Sequence, residues 1–210
     1  MPGAALTPEY FRRLDDSDDW LFYQTPRLVT HIDTPAIAAL EAYFELILPD
    51  GGDVLDLMSS CVSHYPRSHV FGSVTGLGMN RVELDANPRL TERVVHDLNH
   101  DPTLPFDDGC FDACTISVSV QYLIQPIKVF AELGRVLRPG APCVVSYSNR
   151  CFPTKAIALW RALDDGGHGN LIRRYFETAG TFGPSNATDL SPAPDISDPL
   201  FVVTARRESE

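Results

Sequence analysis

The stretch LPFDDGCFD, residues 104–112, leads into FDACTISV, residues 111–118. β-formers and small residues fill the second stretch, which predicts a buried β-strand. Over residues 126–137, apolar side chains then recur at the spacing of one helix face, which predicts a helix that packs on a sheet. A strand followed by such a helix is typical of an α/β fold.

The same alternation extends through most of the chain. Further apolar runs predict strands at residues 54–57, 73–77, 93–96, 141–147 and 200–205, and helical patterns lie at residues 36–48, 154–163 and 171–178. Right-handed β–α–β connections between them would give a mostly parallel sheet covered on both faces. In such sheets ligands bind beyond the carboxyl ends of the strands, where the strand order reverses.

Polar stretches separate these elements. We expect the first twenty residues, with an acidic cluster at residues 15–19, to be a solvated terminus. Thr34 is the expected N-cap of the helix at residues 36–48. Residues 164–169 are expected to be flexible, and the Pro-rich residues 184–199 to form a loop. We predict one domain. Residues 1–50 would form its N-terminal part, with a cap helix, and residues 51–210 would form an α/β body.

The composition limits the classes of partner. The chain has 210 residues, of which 44% are hydrophobic, and a formal net charge of −11. A hydrophobic share of this size can build a core without disulfides or metals. Excess negative charge disfavours nucleic-acid binding, because phosphates must be neutralised by clustered Lys and Arg. We therefore expect a small-molecule partner.

The five cysteines form no CxxC pair, and no His, Cys and Asp spacing indicates a metal site. An odd number of scattered thiols is typical of a reducing compartment. The N-terminus shows no signal-peptide pattern and no segment is apolar for long enough to cross a bilayer. These features predict a cytoplasmic protein that does not insert into a membrane.

The order of several strings resembles a known family. LPFDDGCFD, then a strand and a helix, then LGRVLRPG at residues 133–140 and another strand, resemble the second half of class I S-adenosylmethionine-dependent methyltransferases, type 11 in particular. The resemblance runs from about Asp53 to the C-terminus. It implies a Rossmann-like doubly wound sheet, mostly parallel, with an antiparallel C-terminal strand. It also implies S-adenosylmethionine as cofactor, with Asp97, Leu98 and Ser117 beside it.

The loop after the first strand departs from that family. Asp56 stands at the family's acidic position, but Met58, Ser60 and Val62 replace glycines that normally allow backbone N–H groups to approach the cofactor. Met58, Ser59 and Ser60 are nevertheless expected to contact the cofactor, and the serine hydroxyls could donate to its carboxylate. Capping of a following helix is an equally good interpretation of either serine.

The second departure concerns the ribose. The family usually has Asp or Glu at the end of the second strand, where this sequence has Gly78. Asn80 or Glu83 could bind the sugar instead. Alternatively, Asn80 caps a short helix at residues 81–86.

Four residues are candidates for catalysis. His31 and Asp33 could act as a base and its orienting carboxylate. Gln121 and Tyr122 follow the fourth strand, where the family places substrate-facing residues. For His31 and Tyr122, an ordinary hydrogen-bonded or packing role is the competing interpretation. His64 and Tyr65 lie just after the altered loop and form a further pair near the methyl donor.

The leading hypothesis is an S-adenosylmethionine-dependent methyltransferase that acts on a small-molecule acceptor by in-line methyl transfer. A non-catalytic or nucleotide-binding module of the same fold is the first alternative, because of the altered loop and the missing ribose acid. A dinucleotide-dependent oxidoreductase is disfavoured, since no GxGxxG opens a helix after the first strand. Filling of the crevice by Met58 or Val62 would contradict the leading hypothesis.

Overall fold

The computed structural model describes residues 6–193 and 195–209, which form one seven-stranded sheet. The strands are β1 (Asp53–Leu57), β2 (Ser73–Gly78), β3 (Glu92–Val95), β4 (Ala113–Ser117), β5 (Pro142–Tyr147), β6 (Asn186–Asp189) and β7 (Phe201–Arg206). Their order in the sheet is β3-β2-β1-β4-β5-β7-β6. Strands β1 to β5 are parallel, whereas β7 pairs antiparallel with β5 and β6 pairs antiparallel with β7. The predicted Rossmann-like sheet with an antiparallel C-terminal strand is confirmed.

Helices cover both faces of this sheet. They are α1 (Asp19–Tyr23), α2 (Thr34–Ile47), α3 (Arg81–Ala86), α4 (Pro126–Val136), α5 (Ala158–Ala162) and α6 (Asp165–Ala179), with 3₁₀ turns at Pro8–Phe11 and Val120–Tyr122. Neighbouring residues of a strand point to opposite faces. Thus Leu55 packs in the cluster that contains Phe130 of α4 and Phe176 of α6, while Val54 packs with Phe44 of α2. Burial on both faces explains why the central strands are apolar without alternation.

Three local predictions need correction. Asp33, and not Thr34, caps α2, because its carboxylate accepts a hydrogen bond from the Ala36 backbone N–H at 3.0 Å. Residues 164–169 are not a flexible spacer: Asp164 caps α6, which begins at Asp165 and runs through three glycines. Strand β6 lies within residues 184–199, where only a loop was expected, because its pairing with β7 stabilises a strand of weak intrinsic preference.

The N-terminal residues are also more ordered than a solvated terminus. Arg13, at 6% side-chain exposure, donates to both carboxylate oxygens of Asp19 at 2.8 and 2.9 Å. Lys155, which is fully buried, donates to the Ser17 carbonyl at 2.8 Å and pairs with Asp15 and Asp19. Residues 13–31, called the N-terminal segment below, are therefore attached to the chain that follows β5. Residues 1–5 of the predicted terminus lie outside the described part.

Candidate functional site

A cavity of about 340 Å³ lies at the carboxyl ends of β1, β2 and β4. Strand order reverses at β1, which lies between β2 and β4, so the cavity occupies the position where doubly wound sheets bind ligands. Its volume falls in the range of small-molecule sites. The N-terminal segment forms one wall, and residues 150–152, after β5, form another.

Backbone strain is concentrated around this cavity. Of the four described non-glycine residues with positive φ, three line it: Met58 (59°), His64 (56°) and Val118 (45°). Positive φ is unfavourable for side chains with a Cβ, and most of all for a β-branched one. Strained backbone of this kind is a common feature of ligand sites.

Asp56 organises the loop after β1, residues 58–65, which we call the β1 loop. Its buried carboxylate accepts hydrogen bonds from the hydroxyls of Ser59 (2.6 Å) and Ser63 (2.7 Å), and Thr115 lies at 3.4 Å. Burial raises the pKa of Asp56 to about 6, although these hydroxyls act in the opposite direction. The Ser59 hydroxyl is thus already bonded to Asp56. Asp56 itself lies at the cavity wall, where it holds the β1 loop through Ser59 and Ser63.

The β1 loop also explains the missing acid of β2. The Ser59 backbone N–H donates to the Leu77 carbonyl at 2.8 Å, so the loop crosses the end of β2. A Cβ at Gly78 would collide with the Ser59 carbonyl oxygen. An aspartate or glutamate therefore cannot occupy position 78 while the loop has this path. The two departures noted in the sequence have one geometric cause.

Glu83 brings a carboxylate to the same region from helix α3. It is 7% exposed, lines the cavity, and accepts hydrogen bonds from the Arg27 backbone N–H and the Ser60 hydroxyl, both at 2.7 Å. It therefore connects the N-terminal segment to the β1 loop. Each carboxylate oxygen keeps a second acceptor site.

Asn80 has the capping role that was one of its two interpretations. Its side-chain oxygen accepts from the backbone N–H groups of Val82 (2.9 Å) and Glu83 (3.2 Å), and its amide donates to the Tyr23 carbonyl at 2.8 Å. The residue lines the cavity, but its polar atoms are already engaged.

The remaining expected cofactor contacts also reach the cavity. Asp97 follows β3 and uses one oxygen to accept from the backbone N–H groups of Asn99 and His100, at 2.9 and 3.2 Å. Leu98 lines the cavity beside it, and Met58 and Val62 line it without closing it. The crevice is thus open, contrary to the arrangement that would have excluded an adenosyl group.

Two serine hydroxyls on the cavity wall lack partners. The Ser117 and Ser119 oxygens are buried and form no hydrogen bond within residues 6–193 and 195–209. A buried hydroxyl without a partner is costly, so such groups are usually satisfied by a ligand or water. These atoms are available to a polar ligand.

The four catalytic candidates separate into two pairs. His31 and Tyr122 line the cavity, and each has a ring contact with Phe152. The Tyr122 hydroxyl accepts from the Phe152 backbone N–H at 2.8 Å. Asp33 and Gln121 are not on the cavity wall: Asp33 caps α2 and exchanges hydrogen bonds with Asp198, and buried Gln121 donates to the Val118 carbonyl. The expected His31–Asp33 pair is not brought together at the cavity.

Arg27, Asp19 and Phe152 line the cavity but were not candidates. Arg27 lies 4.3 Å from the centroid of the Phe22 ring and 5.2 Å from that of Phe152. Their positions depend on the pairing of the N-terminal segment with Lys155, which no local pattern indicates. A lysine placed in an apolar context after β5, opposite an acidic cluster, was the signal that could have suggested it.

Other site classes find no support in the described residues. No group of three or more His, Cys, Asp or Glu side chains there could hold a metal ion. None of the described helices has the length and apolar character required to cross a membrane.

Comparison with known proteins identifies similar sequences and folds. A family described as a methyltransferase domain matches residues 60–145. Demethylmenaquinone methyltransferase from Paenarthrobacter aurescens is 35% identical over 92 residues, which is 44% of this chain and 30% of that protein. The chain thus spans less than a third of the length of that relative.

Solved structures extend the likeness to most of the chain. An S-adenosylmethionine-dependent methyltransferase from Aquifex aeolicus has a TM-score of 0.59 at 15% identity, covering 82% of this chain and 91% of that one. Another from Mesorhizobium loti has a TM-score of 0.57 at 18% identity, with coverages of 80% and 98%. At these identities the likeness concerns the fold.

Proposed function

We propose that the chain is an S-adenosylmethionine-dependent methyltransferase with a small-molecule acceptor, since residues 60–145 match a family described as a methyltransferase domain and the fold is similar to those of such enzymes. The observation that supports this most is the cavity beside β1, with two buried serine hydroxyls that lack partners. A purely structural cavity would lose stability by keeping polar groups unsatisfied. The unpartnered Ser117 and Ser119 hydroxyls favour a polar ligand at this point.

The residues present fit such a cofactor. When bound, it supplies a methyl group already activated by a sulfonium, so the chain need only bind and align the acceptor. Asp97 and Leu98, which line the cavity, would contact the adenine. Glu83 would accept the ribose hydroxyls in place of the acid that Gly78 cannot provide. Ser117 and Ser119 remain free to donate to the polar end of the ligand.

A small acceptor agrees with the walls of the cavity. The N-terminal segment closes one side through Tyr23, Arg27 and His31, which would exclude water from the reacting groups. The net charge of −11 disfavours a nucleic-acid acceptor. The five free thiols agree with a cytoplasmic location.

Titration calorimetry with S-adenosylhomocysteine tests the proposal. We expect one-to-one binding by the wild-type chain. Glu83→Gln should weaken binding about tenfold, because one charge-assisted hydrogen bond to the ribose is lost. Asp85→Asn is the matched control: it lies two residues further along α3, is half-exposed, and pairs with Arg81 and Arg93. Its affinity should equal that of the wild type.

Absence of heat at millimolar ligand would contradict the cofactor assignment. Equal affinity of the Glu83→Gln variant and the wild type would leave the cofactor in place but remove Glu83 from the ribose site.

A further inference from the structure

His64 is a buried imidazole without a hydrogen bond. It is 6% exposed and lines the cavity. Its Nδ1 atom is buried and unpartnered, and no hydrogen bond to either ring nitrogen is formed from residues 6–193 or 195–209. By contrast, buried His168 bonds its Nε2 to the Trp160 carbonyl at 2.8 Å. Burying an unsatisfied ring nitrogen is unfavourable, so its position calls for an explanation beyond packing.

The backbone holds His64 in place despite strain. Its φ is 56°, in the left-handed region. On one side the Ser63 hydroxyl donates to Asp56 at 2.7 Å, and on the other the Tyr65 hydroxyl lies 2.7 Å from the Thr115 hydroxyl. Both anchors are buried. The loop therefore holds the backbone on both sides of His64, even though the ring itself has no hydrogen-bond partner.

The surroundings keep this ring neutral. Burial lowers the pKa of His64 to about 4, and the His31 imidazole adds to that effect. The cavity wall also carries the acidic residues Asp19, Asp56, Glu83 and Asp97, the basic residues Arg27 and Arg150, and the titratable residues His96, Tyr23, Tyr122 and Cys151. At neutral pH one ring nitrogen of His64, a residue of the cavity wall, thus has a free lone pair.

We propose that His64 is the base of this site, and that the acceptor belongs to the class of hydroxyl compounds, such as phenols or enols, whose nucleophilic atom carries a proton at neutral pH. This inference rests on the proposed methyltransferase function. A thiolate or halide acceptor would need no base. An unpartnered, neutral imidazole on the cavity wall can accept the proton that a protic acceptor gives up.

The chemical step is balanced. A bond forms between the acceptor oxygen and the methyl carbon, while the bond between that carbon and the sulfonium sulfur breaks and its electron pair stays on sulfur. The acceptor proton moves to a ring nitrogen of His64. The resulting imidazolium, disfavoured by burial, returns the proton to water when the products leave. No other reactant is required.

Nitrogen NMR of ¹⁵N-histidine-labelled protein saturated with S-adenosylhomocysteine tests this role without turnover. Phenol is the probe, and anisole, which has a methoxy group in place of the hydroxyl, is its matched control. We expect phenol to shift the His64 ring-nitrogen signals, because its hydroxyl donates to the free lone pair, and anisole to leave them in place. The variant His64→Asn identifies the signals by their loss.

His64→Asn also measures the contribution of the ring. Asn tolerates positive φ, so the loop should keep its path. Affinity for phenol should fall about tenfold, while affinity for S-adenosylhomocysteine should stay within about twofold. The thermal unfolding temperature of the variant at pH 7 shows whether it is folded.

The outcomes separate the two proposals. Failure of wild-type protein to bind S-adenosylhomocysteine overturns the methyltransferase proposal itself. Normal cofactor binding without a phenol-specific response of His64 overturns only the role of His64 and the hydroxyl class, whether phenol stays outside the cavity or contacts another wall.

Discussion

Two loops of the molecule, one before β4 and one after β1, are built differently. The loop before β4, at the sheet edge opposite the cavity, is held by the end of helix α4: Arg135 pairs with Asp108 at 2.7 Å and with Glu132 at 2.6 Å, and donates to the Leu104 carbonyl. On the side of β1 and β2, the β1 loop is held by Asp56 and Glu83, with the close approach at Gly78. In the first loop the residue with positive φ is a glycine, Gly109 (58°), whereas in the β1 loop Met58 (59°) and His64 (56°) have positive φ although they carry side chains.

This difference shows which kind of sequence information reports the fold and which reports the site. The strings around Arg135 resemble the family, and their contacts join helix α4 to the loop before β4. The β1 loop departs from that resemblance, and its residues line the cavity. A departure from the family pattern that is confined to the β1 loop and the end of β2 is therefore compatible with an intact fold.

The largest expected effect comes from restoring the family's acid, Gly78→Asp. Its Cβ would collide with the Ser59 carbonyl oxygen, and its carboxylate would be buried. Because the obstacle is backbone, we expect a loss of about 4 kcal/mol in the free energy of unfolding. Urea denaturation measures it.

Gly166→Asp, in the first turn of α6, is the control. The nearest atom to its added Cβ is 3.8 Å away, and an acidic residue suits a helix N-terminus. Its effect should stay within about 0.5 kcal/mol. Equal stability of the two variants would show that the β1 loop can move aside, and would separate the two departures.

The same comparison explains how far the sequence could predict the molecule. The strand expected at residues 73–77 is β2 (Ser73–Gly78), since period and turn residues determine it locally. Helix α6 begins earlier than the helix expected at residues 171–178, because three glycines in its first turns disfavour a helix locally. Capping by Asp164 and the stacked rings of His168 and Trp160, whose centroids lie 3.9 Å apart, stabilise those turns. Local preference is only a weak guide where tertiary contacts compensate.

Site residues were harder to predict than elements. Tyr122 reaches the cavity while its neighbour Gln121 points into the core, a distinction that depends on the 3₁₀ turn at Val120–Tyr122. The contact of Lys155 with Asp19 joins distant parts of the chain, and neither residue has a local signature for it. Side-chain direction in loops is set by such contacts, which periodicity does not contain.

A smaller effect should follow from Lys155→Met, which tests whether Lys155 holds the N-terminal segment beside the cavity. Burial alone would raise the pKa of Asp19, but hydrogen bonds from Arg13, Asn99 and Lys155 hold that pKa below its usual value. Removing Lys155 from this buried cluster should cost about 3 kcal/mol. We expect faster hydrogen exchange in residues 13–31.

Lys128→Met is the matched control. Lys128 is the other lysine of the chain, and its exposed ammonium donates only to the nearby Gln125 side chain at 2.8 Å. Hydrogen exchange of the N-terminal segment should not change in this variant. Unchanged exchange after Lys155→Met would mean that the segment is held by Glu83 and Asn80 instead.

The smallest effect concerns stability in acid and tests the protonation of His64, a residue of the β1 loop. The pKa of His64 is lowered to about 4 by burial, whereas in an unfolded chain it is about 6.5. As the pH falls below 6.5, the unfolded state therefore binds a proton that the folded state refuses, and stability is lost. Between pH 7 and 5.5 this amounts to about 1 kcal/mol.

Asp56 acts in the opposite direction over the same pH range. Burial raises its pKa to about 6, so the folded state gains stability as the pH falls from 7 and this carboxylate takes up a proton. The total pH dependence of the wild type would therefore hide the His64 contribution. The difference between wild type and His64→Asn, measured by urea denaturation at each pH, cancels Asp56 because both proteins retain it. That difference should shrink by about 1 kcal/mol from pH 7 to 5.5; a constant difference would mean that His64 is as easily protonated in the folded chain as in water.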